Sequence, residues 1–205
     1  MIKNIVFDIG NVLIAFSWRD CMRECGIKEE YLERIANATV RSQNWNELDR
    51  GVLSDDEILE KFVESDPECG DMIRTFFERV TYSMPPYDYS EKWLATLRRR
   101  GYKVYLLSNF SDHNFNVNVP QYTFLNETDG KVISYIYKCI KPEREIYDIL
   151  LNKYSLSAEE CVFIDDRADN IEAAISCGMN GIVFTSYDDA NEKLNALLKE
   201  KGVFG

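Results

Sequence analysis

Four short runs, at residues 5–7, 104–107, 162–164 and 182–184, are apolar from end to end, with no polar residue alternating through them. A strand with one wet face must alternate, so such runs belong to a sheet covered on both faces, as parallel sheets are. Helix-period patterns lie between them. Trp93, Leu94 and Leu97 share a face, with Ser90 as a candidate cap and Gly101 as a stop. Ile146, Ile149 and Leu150 follow Pro142, which suits a first helical position, and Ser157 with Glu160 has capping-box spacing ahead of the third run. Ile171, Ala174 and Ile175 lead to Gly178. Strands alternating with helices predict an α/β fold with a doubly wound, Rossmann-like parallel sheet.

Residues 15–85 break the alternation. Ser54 and Glu57 form a capping box ahead of Ile58, Leu59, Phe62 and Val63, and Ile73, Phe76, Phe77 and Val80 make a second helical stripe. No strand pattern intervenes, and Pro85 and Pro86 mark a return hinge. The expected organisation is an α/β core from residues 1–14 and 86–205 with a helical domain, 15–85, inserted after the first strand. A chain of 205 residues can supply both cores.

Charge narrows the partners. With 35 acidic against 24 basic residues and a net charge of −11, the chain repels polyanions, so nucleic acid is not expected. The one basic run, Arg98, Arg99 and Arg100, sits where a helix end favours cations. No segment has the length of a membrane span, and the N-terminus turns charged too early for a signal peptide, so a cytoplasmic, membrane-free protein is expected. Six cysteines without a C-x-x-C, and a single histidine, His113, read as reduced core thiols rather than a zinc site. Oligomeric state is not legible.

In a parallel α/β sheet, ligands gather beyond the carboxyl ends of the strands. The residues there are Asp8, then Ser108 and Asn109, then Asp165 and Asp166. Singly, each is an ordinary turn or cap residue. Together with Lys141 they match the needs of phosphoryl transfer: a carboxylate to attack phosphorus, hard oxygens for Mg2+, and donors for the phosphate oxygens. Asp8 is the candidate nucleophile, and Asp166, with Asp165 beside it, the candidate metal site.

Four segments in order, "VFDIGNVL", "VYLLSNF", "KCIKPEREIY" and "CVFIDDRADNIEAA", resemble the haloacid dehalogenase-like hydrolases, most of which are Mg2+-dependent phosphatases. The resemblance implies an aspartyl-phosphate at Asp8, and Mg2+ held by Asp8, Asp166 and the carbonyl of Gly10. It implies Asp165 as ligand or supporting partner, and Ser108 and Lys141 on the phosphate. Asn109 would orient nucleophile or phosphate, and the helical insertion would be a cap closing over substrate. Phosphatases of this family usually carry an acid two residues after the nucleophile, to protonate the leaving oxygen. Here that position is Gly10, which cannot move a proton, so the expected substrates leave readily or receive their proton from a cap residue or water.

"FDIGNV" with "IDDRADN" resembles a bacterial subgroup that includes an alpha-glucose-1-phosphate phosphatase, which points to a small phosphorylated metabolite such as a sugar phosphate. That subgroup reads "VLVDFD" where this chain reads "VLIAFS", with Ala15 and Ser17. The segment "NWNELDRGVLSDDE" resembles its substrate-facing loop, which offers Trp45 to stack on a sugar and Arg50 to meet an anionic group. Alternatively Trp45 is cap core and Arg50 pairs with Asp49 or Glu47. Two other readings of the whole stay open: a metal-independent haloacid dehalogenase, and a catalytically weak phosphate-binding or regulatory protein on this fold.

Overall fold

The computed structural model describes residues 1–201, so the last four residues of the expected core lie outside the described residues. The chain opens with β1 (Asn4–Phe7), then passes through five helices, α1 (Trp18–Glu24), α2 (Glu29–Ala38), α3 (Gln43–Arg50), α4 (Asp55–Ser65) and α5 (Gly70–Val80). It returns through α6 (Ser90–Arg99), β2 (Lys103–Ser108), α7 (Asp112–Asn118), β3 (Gly130–Ile133) and α8 (Ser134–Tyr137). It ends with α9 (Arg144–Lys153), β4 (Cys161–Asp165), α10 (Ala168–Ser176), β5 (Asn180–Val183) and α11 (Tyr187–Lys201).

The strands form one parallel sheet in the order β3-β2-β1-β4-β5. Side chains alternate between its two faces, and each face is covered, which is why the strands could be apolar throughout. Ile5, Phe7, Val104, Leu106, Val162 and Ile164 pack against α6 and α11 through Trp93, Leu97, Leu194 and Leu198. Val6, Leu107 and Phe163 point the other way, onto Ile146, Tyr147 and Leu150 of α9 and Ile171 and Ala174 of α10. The five-helix insertion encloses a separate apolar cluster that includes Met22, Ile35, Leu48, Phe62, Ile73 and Phe76. The chain enters and leaves it side by side, with Ala15 N donating to Pro85 O (2.9 Å) and Ser17 N to Ser83 O (3.0 Å).

Several local expectations change. The sheet has a fifth strand, β3, which pairs with β2 alone and leaves Lys131 exposed, so it lacks an unbroken apolar run. The run at 182–184 lies partly beyond β5, which starts at Asn180. Ser90 lies inside α6 and its hydroxyl donates to Leu13 O (2.6 Å), tying that helix to the loop after β1 instead of capping it. Pro142 precedes α9 by two residues, and Ser157 makes no side-chain cap. The Ser54–Glu57 capping box forms as expected, with Ser54 N donating to Glu57 Oε2 (2.8 Å). All six cysteines are free thiols. Among the described residues no helix is long and apolar enough to cross a membrane.

Candidate active site

The central strands end side by side, Phe7 of β1 pairing with Leu106 of β2 and Ile164 of β4, so the next residues of all three meet at one edge. Ser108 Oγ donates to Asp8 Oδ1 (2.7 Å). Lys141 Nζ lies between Asp8 Oδ1 (2.7 Å) and Asp165 Oδ2 (2.6 Å), with its side chain only 1% exposed. Asn109 exchanges two hydrogen bonds with the Lys141 backbone, Nδ2 to O (3.0 Å) and N to Oδ1 (2.8 Å). The Asn109 side chain thus holds the Lys141 backbone in place.

After β1 the chain folds tightly around one carbonyl: Leu13 N and Ile14 N both donate to Ile9 O (2.8 and 3.1 Å), and Asn11 takes a left-handed φ of 55°. That turn holds Gly10 in the cavity wall and aims Asn11 Nδ2 at Asp166 Oδ2 (3.0 Å). Asp165 is fully buried and saturated, its oxygens accepting from Lys141 Nζ, from Arg167 N (2.8 Å) and from Asn170 Nδ2 (3.0 Å). Asn11 and Asn170 were not singled out from sequence, though each stands within five residues of an acid that was.

Asp8, Asp165 and Asp166 bring carboxylate oxygens within 4.8 Å of one another. Burial pushes the Asp8 carboxyl up against the pull of Lys141, and with Asp165 and Asp166 adding to the rise it reaches about 7. Asp166 is raised too, by burial and then by Asp165. For Lys141 burial works to strip the proton, yet Asp165 and Asp8 outweigh it and the ammonium is held above its ordinary range. Three clustered carboxylates against one ammonium leave a deficit of positive charge, and their hard oxygens suit a divalent cation such as Mg2+.

A cavity of about 240 Å³ opens above this cluster. Its floor carries Asp8, Gly10, Asn109, Lys141 and Asp166, and the insertion contributes Phe16, Val40, Trp45, Asn46 and Asp49. Trp45 packs near Phe16 and Phe62 (ring centroids 5.6 and 6.0 Å), and it also lines the cavity. Arg50 does not line it. Its guanidinium is taken by Glu143 in a two-point contact (2.6 and 2.9 Å), with Glu47 alongside, so it ties α3 to the core. His113 is exposed on α7, outside the cavity.

Asp49 is the cavity residue that sequence reading passed over, naming it only as a partner for Arg50. Burial, with Asp8 next, raises its carboxyl to about 7, while Lys141 and the Ser111 backbone N–H act to lower it. One signal was available: Trp45, Asn46 and Asp49 share a face of α3.

A haloacid dehalogenase-like hydrolase model matches residues 2–178. The chain belongs to that family. As a hydrolase of this kind it is 27% identical over 183 residues to a sesquiterpene phosphatase of Aspergillus oryzae, with 89% of this chain and 90% of the relative covered. It is also 27% identical over 219 residues to a D-ribitol-5-phosphate phosphatase of Bacteroides thetaiotaomicron, covering 97% and 99%. Among solved structures, a haloacid dehalogenase-family enzyme of Bacteroides thetaiotaomicron, in complex with magnesium and inorganic phosphate, superposes with a TM-score of 0.74 at 22% identity over 94% of this hydrolase and 99% of that chain. At that identity the superposition speaks for the fold.

Proposed function

We propose that this hydrolase is a Mg2+-dependent phosphatase of a small phosphorylated metabolite, working through an aspartyl-phosphate on Asp8. The observation that carries the reading is the cluster of Asp8, Asp165 and Asp166 with one buried lysine at the sheet edge. Two relatives named as phosphatases support it. A metal-independent dehalogenase fits less well, because an anionic haloacid would meet three carboxylates against Lys141, with Arg167 already paired to Asp169.

Asp8, Asp166 and the Gly10 carbonyl would hold the ion, which supplies neutralising charge between phosphate and nucleophile. Asp165, with its oxygens already occupied, acts through Lys141, keeping it protonated and aimed at the phosphate. The Ser108 hydroxyl, which donates to Asp8, can turn its one proton to an arriving phosphate oxygen instead. Asn109 fixes Lys141, and Trp45 offers an aromatic wall to the rest of the substrate. The small cavity, with the amides of Asn46, Asn109 and Asn114 among apolar side chains, fits a polyol or sugar phosphate better than a long lipid chain.

A panel of phosphate esters and acetyl phosphate, assayed with and without Mg2+, tests the reading. Phosphate release that requires Mg2+ and disappears in Asp8→Asn is expected. Release without metal, or none from any ester or acyl phosphate, would overturn it.

A further inference from the structure

Phosphate-ester cleavage creates an alkoxide unless something protonates it, and the residue nearest in sequence to do so, Gly10, has no side chain. The titratable side chains around the cavity are few: Asp8, Asp49, Lys141, Asp166 and Arg167. On the proposed function, Asp8 bonds to phosphorus and Asp166 to the metal. Lys141 is locked between two carboxylates, and Arg167, paired with Asp169, does not release a proton in water. Asp49 remains. Its carboxylate forms no salt bridge among the described residues.

Its placement suits the task. In-line displacement puts the leaving oxygen on the side of phosphorus away from the nucleophile, toward the insertion that roofs the cavity. The end of α3 is fixed there from the core at three points. Ser134 Oγ, itself held by Phe110 N (2.9 Å), donates to the Asp49 carbonyl (2.5 Å). Glu143 clamps Arg50, and Lys138 Nζ bonds the Gly51 carbonyl. Gly51, at φ 69°, lets the chain pass so close to α8 that a Cβ there would stand 2.9 Å from Tyr135 Cβ. A general acid has to be positioned, and these anchors position Asp49.

We propose that Asp49 is the proton donor and acceptor of this phosphatase, replacing from the insertion what Gly10 cannot provide. The inference rests on the phosphatase reading. In the first step an Asp8 oxygen bonds to phosphorus, the bond from phosphorus to the leaving oxygen breaks, and the Asp49 proton moves to that oxygen, releasing a neutral alcohol. In the second step water bonds to phosphorus, the Asp8–phosphorus bond breaks, and Asp49 takes up the proton that water gives, which restores both carboxyl groups and frees inorganic phosphate. The groups facing Asp49 are Asp8, Lys141 and the Ser111 N–H, and burial, the largest influence on it, favours its protonated form.

Leaving-group dependence separates this role from a structural one. Asp49→Asn is expected to lower kcat/KM for a sugar or polyol phosphate by about 10²–10⁴-fold, and for acetyl phosphate, whose leaving group needs no proton, by less than about tenfold. Hydrolysis of the aspartyl-phosphate is common to both substrates, so the contrast is read in kcat/KM, which ends at leaving-group departure. A near-normal kcat/KM for acetyl phosphate also reports that the variant folds. A Cβ at Gly10 meets nothing within 4 Å, so Gly10→Asp can add a carboxyl to the same cavity, and combined with Asp49→Asn it should recover ester hydrolysis. Equal losses on both substrates, or no loss on either, would overturn the assignment while leaving the phosphatase reading intact. Absence of all turnover by the unaltered protein would instead overturn the reading on which it rests.

Discussion

Replacing the nucleophile should stabilise the metal-free protein, and the gain should depend on pH. Asp8 sits at about 7 against an ordinary 3.8, first because burial penalises its charge and then because Asp165 and Asp166 outweigh Lys141. In the unfolded chain the carboxyl ionises near 3.8, in the folded chain only near 7. As pH rises between those values the unfolded state sheds its proton first, so native stability falls across that window and levels off above it. The displacement from 3.8 to about 7, at about 1.4 kcal/mol per pH unit, bounds the cost at about 4 kcal/mol. Asparagine cannot ionise, it retains an oxygen to accept the Ser108 hydroxyl, and it leaves Lys141 its bond to Asp165. Asp8→Asn in EDTA should therefore melt close to the unaltered protein at pH 4 and above it at pH 8, by up to roughly 16 °C at about 2–4 °C per kcal/mol for a chain of this size. Thermal melts across that pH range measure the difference directly. A variant less stable than the parent at pH 8, or a difference that does not change with pH, would refute the account of Asp8 as an under-neutralised buried acid.

Millimolar Mg2+ should reverse that order, raising the melting temperature of the parent more than that of Asp8→Asn, because the ion binds the folded carboxylate cluster and the variant has lost one member. Lys141→Met leaves Asp8 and Asp165 buried without their shared cation, so urea unfolding in EDTA at pH 8 should show a loss of about 3–5 kcal/mol, accompanied by loss of phosphatase turnover. Arg50→Ala removes a contact whose Glu143 side is 41% exposed, so global stability should change by about 1 kcal/mol or less, while amide exchange in α3 accelerates as its hold on the core loosens. Gly51→Ala strains a left-handed turn against Tyr135 and should cost more than about 1 kcal/mol, read by denaturant titration.

What could be read from the sequence depended on how local its physical cause was. The central strands were legible because burial on both faces imposes unbroken apolar runs, whereas β3, with one neighbour and an exposed Lys131, escapes that constraint. Asp8, Ser108, Asn109, Asp165 and Asp166 were legible because a strand end fixes where the next residues go. On α3 the inference fails for a physical reason. Trp45 and Leu48 bury the helix in its own cluster, and neighbouring Asp49 and Arg50 are both left for the surface. Helical spacing sets Asp49 on the face of Trp45, but that this face meets the cavity while Arg50 meets Glu143 is settled by docking against Ser134, Tyr135 and Glu143, all distant in sequence. The cation looked like the substrate contact, and the acid looked like its partner. Glu143 of the core takes Arg50, and the acid brought to the cavity is Asp49, where the glycine two residues after Asp8 offers no side chain.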